Sequence, residues 1–248
     1  MVISSRRYPM DSIFNYEHPF VCTDAAVFTI KTQEPDSYRK LPETSLRVLL
    51  YKRDTDPYKD KWCLPGGFLN IDELPEDNIR RKLFAKTDVE KCRLEQLYTF
   101  CDVSRDPRAR VISIAYLGLM NEAESEKFGG RAVWSEVRFD ADRQPTFKNY
   151  ELALSGSDFG FDHHNMIKIA LERLQSEVFR TNAIFSLMPE EFTLTELQNA
   201  FEAVLGKRDQ TANFRRKIMD MVRETDRYTK DKGYRPAKLF TKREEGSK

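Results

Sequence analysis

The chain has 248 residues, with 41 Lys and Arg against 40 Asp and Glu, 40% apolar and 33% charged side chains. That length allows one large or two modest domains with proper cores. No stretch approaches the roughly 20 apolar residues of a spanning helix, and the start, Met1-Val2-Ile3-Ser4-Ser5-Arg6-Arg7, lacks the apolar run of a secretory signal, so a soluble cytoplasmic protein with no membrane partner is expected.

In chain order, Val21 to Ile30 is apolar and rich in β-formers and predicts a strand. A polar, proline-containing loop from Lys31 to Glu43 leads to a second strand, Ser45 to Tyr51, with Arg53 just beyond it. Then comes Leu64-Pro65-Gly66-Gly67-Phe68, followed by Glu73 and by Arg81-Lys82-Leu83-Phe84-Ala85-Lys86-Thr87-Asp88-Val89. The register from Gly67 through Glu73 to Arg81 resembles the Nudix signature, in which a loop and a helix present carboxylates to a metal-bound diphosphate. The helix is expected over Asp72 to Lys86. Where that signature places its glutamates this chain has Lys82, Ala85 and Lys86, and where it places the closing Gly it has Asp88.

This substitution decides the chemistry. A Nudix hydrolase needs carboxylates one helical turn apart to hold Mg²⁺ against the diphosphate. At roughly 5 Å and an effective dielectric of about 20, an ammonium and a dication repel by several kcal/mol, which empties the site. Glu73 alone is a poor cage, so no metal and no cofactor are expected. Gly66 and Gly67 still let the backbone approach a ligand, and Arg81 with Lys86 can meet phosphate oxygens directly. The pocket is therefore expected to bind a nucleoside diphosphate compound without cutting it. The opposing reading, a hydrolase recruiting Glu76, Asp77 or Asp88 as replacement acids, stays open at this point.

Further strands are expected at Leu94 to Phe100 and Val111 to Leu119, flanking a charged turn from Asp102 to Arg110 that contains Asp106-Pro107-Arg108, and a short one at Ala132 to Trp134. The fold class is α+β, a mixed sheet with helical cover. Asp162 opens a helix whose Met166, Ala170, Leu174 and Val178 recur at four-residue spacing. His163 and His164 are read as the start of that connecting helix, because neighbouring helical side chains point about 100° apart and no acid or thiol stands at ligand spacing. Cys22, Cys63, Cys92 and Cys101 show neither a C-x-x-C pair nor a framework spacing, so free thiols are expected.

From Phe192 the local signals agree with one another. Thr193-Leu194-Thr195-Glu196 is a capping box, Phe192 and Leu197 form its hydrophobic staple, and Gly206 supplies a left-handed stop. The turn Lys207-Arg208-Asp209 leads to a second helix, expected over Thr211 to Glu224, with Phe214, Ile218, Met221 and Val222 inward and Arg216 about 160° from Phe214. A cation-studded hairpin follows with Asp231-Lys232-Gly233 near its tip. Residues 207 to 243 hold 13 Lys or Arg against 5 acids, a net charge of +8. Such a module meets a polyanion, and its arrangement is a winged helix-turn-helix. Thr211, Asn213 and Arg216 are expected to reach base edges of double-stranded DNA, and Arg215, Lys217, Lys232 and Arg235 to hold phosphates.

The decayed signature, Pro189-Glu190-Glu191-Phe192-Thr193-Leu194-Thr195-Glu196-Leu197-Gln198, Asn213-Phe214-Arg215-Arg216-Lys217 and Tyr234-Arg235-Pro236-Ala237-Lys238-Leu239-Phe240 together resemble the Nudix-related transcriptional regulator family NrtR. The resemblance implies a Nudix-like α/β/α sandwich over residues 1–162, a connecting helix and linker over 163–188, and a winged helix-turn-helix over 189–248. It further implies a homodimer that represses genes of NAD synthesis or salvage from a pseudopalindromic operator and is released by ADP-ribose. The effector residues it points to are Arg53, Gly66, Gly67, Phe68, Glu73, Arg81, Lys86, Asp106 and Arg108, with Trp62, Phe68 or Phe100 as the aromatic partner for adenine. A regulator of sugar catabolism with the same architecture and another effector is the remaining alternative.

Overall fold

The computed structural model describes residues 16–33, 42–126, 132–229 and 236–244. Among them, β1 (Phe20–Gln33), β2 (Glu43–Lys52), β3 (Trp62–Cys63), β4 (Gly66–Phe68), β5 (Arg93–Phe100), β6 (Val111–Leu119), β7 (Ala132–Phe139), β8 (Pro145–Asn149) and β9 (Leu152–Leu154) form one mixed sheet. Its order is β5-β6-β1-β2-β7-β8-β9, with β3 on β2 and β4 on β1. β1 is parallel to β6 and antiparallel to β2 and β4. This central strand is buried along almost its whole length, as expected of a strand covered on both faces. Ala26, Phe28 and Ile30 enter one core and Ala25 and Val27 the other, the alternation a pleated strand imposes.

Helix α1 (Pro75–Thr87) covers the second face through Ile79 and Leu83. It begins three residues later than expected, because Pro75 sits in the first turn, where a missing amide costs nothing. It ends at Asp88, whose φ of 58° is left-handed and whose amide donates to the Phe84 carbonyl. The position where the signature places glycine thus keeps glycine's conformation with a residue that tolerates it. A short helix, α2 (Glu122–Ser125), follows β6.

Helix α3 (His163–Glu177) lies on the other face and buries Met166, Ile167, Ala170, Leu171 and Leu174. The expected connecting helix is therefore also a wall of the sandwich. Beyond it, α4 (Leu194–Leu205) has the Thr193–Glu196 capping box and ends at Gly206 with φ 62°. A Cβ on Gly206 would fall 2.4 Å from Cδ2 of Phe139 in β7, so both backbone and space demand glycine there. Leu197, Ala200, Phe201 and Val204 of α4 join the same buried cluster as Phe28, Leu46 and Val48 of the sheet. One core runs from the sheet into the C-terminal module.

The second helix of that module is shorter than its periodicity suggested. α5 spans Thr211–Ile218, and after a turn the chain becomes β10 (Val222–Tyr228), antiparallel to β11 (Lys238–Lys242). Val222 is buried as expected, but as the first residue of a strand. Spacing of Ile218 and Val222 by four residues fits a helix, yet ladder pairing with Lys242, Thr241 and Phe240 overrides it. Phe240 also exchanges both backbone hydrogen bonds with Phe192, at 3.0 and 2.8 Å, fixing the hairpin to the start of α4. The expected hairpin is present with its first strand starting earlier, and its tip lies outside the described residues. No helix among the described residues is long and apolar enough to cross a membrane.

Candidate functional site

Arg53, Gly66, Gly67, Phe68, Lys86, Asp106 and Arg108 line one cleft of about 230 Å³ beside β1 and α1. The loop into β4 brings Gly66 against β1, and a Cβ there would lie 2.1 Å from Oδ1 of Asp24. Lys82 and Lys86, one turn apart on α1, line the same cleft, with the Lys82 chain 3.0 Å from where a Gly67 Cβ would be. The Lys86 ammonium donates to the Tyr51 hydroxyl at 2.9 Å and lies 4.2 Å from that ring's centre. Burial holds its pKa below the usual lysine value, opposed by the charge of Asp24.

Two expected residues stand outside this cleft. Glu73 and Arg81 are joined to each other by paired hydrogen bonds of 2.7 and 2.6 Å, and Asn78 donates to Glu73 at 2.8 Å. Arg81 and Asn78 hold the Glu73 carboxyl down at about 2. The pair staples the signature loop to its helix. Of the two cations expected at the diphosphate, only Lys86 enters the cleft, because helical geometry directs Arg81 to the exposed flank.

The structure adds Asp24, Tyr51, Lys82, Arg105, Phe161 and His163 to the lining. Asp24 is buried, accepts from the Ser113 hydroxyl at 2.6 Å and lies 3.7 Å from Arg105. Burial raises its pKa, while Ser113 and the Arg105 charge oppose the rise. A carboxylate within the apolar run of β1 was the sequence signal for it. His163 accepts the Leu64 amide at Nδ1 (3.0 Å) and turns Nε2 toward Asp24 at 3.7 Å. Burial and the charges of Arg105 and Lys86 push its pKa well below the ordinary value, so it is a neutral structural histidine at the cleft floor. Arg108 is clamped by Asp106 at 2.9 and 2.7 Å, and its guanidinium lies 5.4 Å from the Phe68 ring and 5.7 Å from that of Phe161. Phe68 is 40% exposed at the mouth, whereas Phe100 is buried and Trp62 packs against the core. Of the three aromatic candidates, Phe68 lines this cleft.

Five cations therefore converge on a cleft with two carboxylates, one of which is spent on Arg108. Among the described residues no three His, Cys, Asp or Glu side chains are grouped for a metal ion. Glu76 is held by Arg80 at 2.8 Å, and Asp88 caps α1. A wider hollow of about 550 Å³ lies over Thr29, Arg47 and Trp134, but its lysines are paired internally, Lys31 with Glu122 and Glu126 and Lys148 with Glu151.

On α5, Phe214 and Ile218 are buried while Thr211, Arg215 and Arg216 are exposed and Asn213 is half-buried. Arg216 and Asn213 adjoin, at 3.5 Å, on the outward face. Lys217 is exposed as well, and its ammonium pairs with Asp209 at 2.8 Å and lies 5.2 Å from the Phe179 ring. Lys232 and Arg235 lie outside the described residues. The four cysteines are free.

Residues 41–142 match the model of the NUDIX domain, and residues 184–241 match that of the NrtR DNA-binding winged helix domain. The chain is 32% identical to the ADPR-responsive transcriptional repressor NtrR of Acinetobacter baylyi over 232 residues, 91% of this chain and 83% of that protein. The crystal structure of Shewanella oneidensis NrtR complexed with a 27mer DNA superposes with a TM-score of 0.67 at 29% identity, covering 90% of this chain and 93% of that one. A MutT/nudix family protein from Enterococcus faecalis has the same fold, with a TM-score of 0.76 at 22% identity over 96% of this chain and 95% of that one.

Proposed function

The chain belongs to the NrtR family of DNA-binding transcriptional repressors, and we propose that ADP-ribose, bound without a metal in the cleft of its Nudix domain, releases it from operator DNA. The observation that carries this reading is the pair Lys82 and Lys86, which line the same cleft as Gly66 and Gly67 from the helix face where a hydrolase keeps its carboxylates. Lysine and arginine bind phosphate oxygens directly, and here they supply the charge that Mg²⁺ supplies to an enzyme. Phe68 and Phe161 offer ring faces beside them for a base or ribose. Of the replacement acids a hydrolase could recruit, Glu76 pairs with Arg80 and Asp88 caps α1.

In this reading Thr211, Asn213 and Arg216 of α5 face base edges, Arg215 faces a phosphate, and two copies of α5 in a homodimer address successive major grooves of a pseudopalindrome. The regulated genes are those of NAD synthesis or salvage, as the family resemblance implies. Fluorescence anisotropy with an operator duplex selected by this protein from a random library tests it. ADP-ribose should release the duplex in the presence of EDTA, and no AMP should accumulate with Mg²⁺ or Mn²⁺. Rapid AMP release by a protein indifferent to any duplex would refute it.

Arg216→Ala is expected to weaken operator binding by about 1 to 3 kcal/mol and to relax the preference over random duplex, because an exposed guanidinium suits bidentate reading of guanine. Competition anisotropy measures this, and unchanged discrimination would remove Arg216 from the reading face.

A further inference from the structure

Asp162 occupies the N-cap position of α3, yet its side chain caps nothing. Its carboxylate instead accepts two hydrogen bonds from Arg105, from Nε at 3.1 Å and from Nη2 at 2.8 Å. A capping residue holds an extended ψ so that its oxygen faces the first amides of the helix. Asp162 has φ −95° and ψ 17°, which aims the carboxylate away, and the first turn of α3 holds no acidic residue. The carboxylate thus has two mutually exclusive partners, the Arg105 guanidinium and the positive end of α3.

Arg105 is where a ligand intervenes. It lines the cleft with 3% of its side chain exposed, and it already lies 3.7 Å from Asp24. An entering diphosphate is a second bidentate acceptor for the same guanidinium, and its charge adds to that of Asp24 in repelling Asp162. The far end of α3, about 22 Å away at 1.5 Å per residue, touches both helices of the DNA module. Gln175 donates to the Val204 carbonyl of α4 at 2.9 Å, and Phe179 stacks on Phe201 at 4.5 Å while carrying Lys217 of α5 over its ring.

We propose that Asp162 is a two-position carboxylate that couples the cleft to the DNA module. With the cleft empty it holds Arg105 and keeps α3 in the DNA-binding position. When a diphosphate takes Arg105, Asp162 turns to cap α3, and the helix shifts against α4 and α5. This rests on the ADP-ribose reading above and adds the route by which that site acts.

Asp162→Asn keeps the size and capping ability of the side chain and weakens its hold on Arg105. In the full-length protein, calorimetry should show ADP-ribose binding tightened by about threefold or more, and anisotropy should show the selected operator duplex bound more weakly by a similar factor without ligand. Linkage moves the two affinities in opposite directions, whereas structural damage lowers both. Unchanged affinities, or a fall in both, overturn the proposal. Gln175→Ala, which lines neither the cleft nor α5, provides a second arm should Asp162→Asn misfold. It should keep both separate affinities and shrink the ratio between duplex affinities with and without ADP-ribose, and a wild-type ratio overturns the proposal. A wild-type protein whose duplex binding ignores ADP-ribose would overturn the functional reading and the coupling together, whereas a responsive wild type with unaltered variants overturns the coupling alone.

Discussion

Lys86→Glu is expected to weaken ADP-ribose binding by about two orders of magnitude or more in EDTA and to regain part of it in Mg²⁺. A unit charge at about 5 Å and an effective dielectric of about 20 contributes roughly 3 kcal/mol, and reversal exchanges that attraction for repulsion. Each 1.4 kcal/mol is about a factor of ten in affinity. The effect is large here because Lys86 is half-buried against Tyr51 and lines the cleft, where solvent screens it less than at an open surface. The new carboxylate would share the cleft with Asp24, and a hard cation bridging these oxygens to the diphosphate accounts for the partial recovery. Calorimetry of both proteins in EDTA and in Mg²⁺ checks this. Wild-type binding that requires Mg²⁺, or a variant that binds as the wild type does in EDTA, would show that the lysine does not replace the metal.

Phe201→Ala is expected to destabilise the whole chain by about 3 to 5 kcal/mol, a large share of the roughly 5 to 15 kcal/mol that holds a domain folded. Phe201 is 1% exposed, stacked on Phe179 at 4.5 Å and edge-on to Phe214 at 5.3 Å. It belongs to the cluster that continues into the sheet through Leu46 and Val48. The sequence has two tryptophans, Trp62 and Trp134, both in sheet strands. Their fluorescence should therefore report an earlier urea midpoint even though the substitution lies in the DNA module, and it should move together with far-UV circular dichroism. A tryptophan transition left at the wild-type midpoint, with an earlier loss of helix signal, would mean that the two halves do not share a cooperative core.

The strands were legible where apolar runs are long. Val111–Leu119 coincides with its expected bounds, and β1 extends only slightly past Val21 to Ile30 at each end. β8 and β9 were not legible, since Pro145–Asn149 and Leu152–Leu154 are short, partly exposed strands at one end of the sheet with weak alternation. The end of α5 was misread for the opposite reason. Its apolar spacing continues through Val222, and only pairing with β11 and Phe192 converts that continuation into a strand.

The sequence by itself determined whatever is settled within a few residues. It specified the capping box at Thr193 and Glu196, the left-handed stop at Gly206, the frame from Gly67 to Arg81, and the non-acidic residues Lys82, Ala85 and Lys86 on that helix. Hydrogen bonding inside one turn and the period of a helix decide such features before any tertiary contact forms. Tertiary structure alone decided which charges line the cleft and which are paired elsewhere. Lys86 enters the cleft while Arg81 closes on Glu73, Lys217 turns back to Asp209 and Phe179, and Arg105 meets Asp162 across 57 positions of sequence. A cation's role depends on which carboxylate or ring the fold brings within about 4 to 6 Å of it, and no local pattern carries that distance.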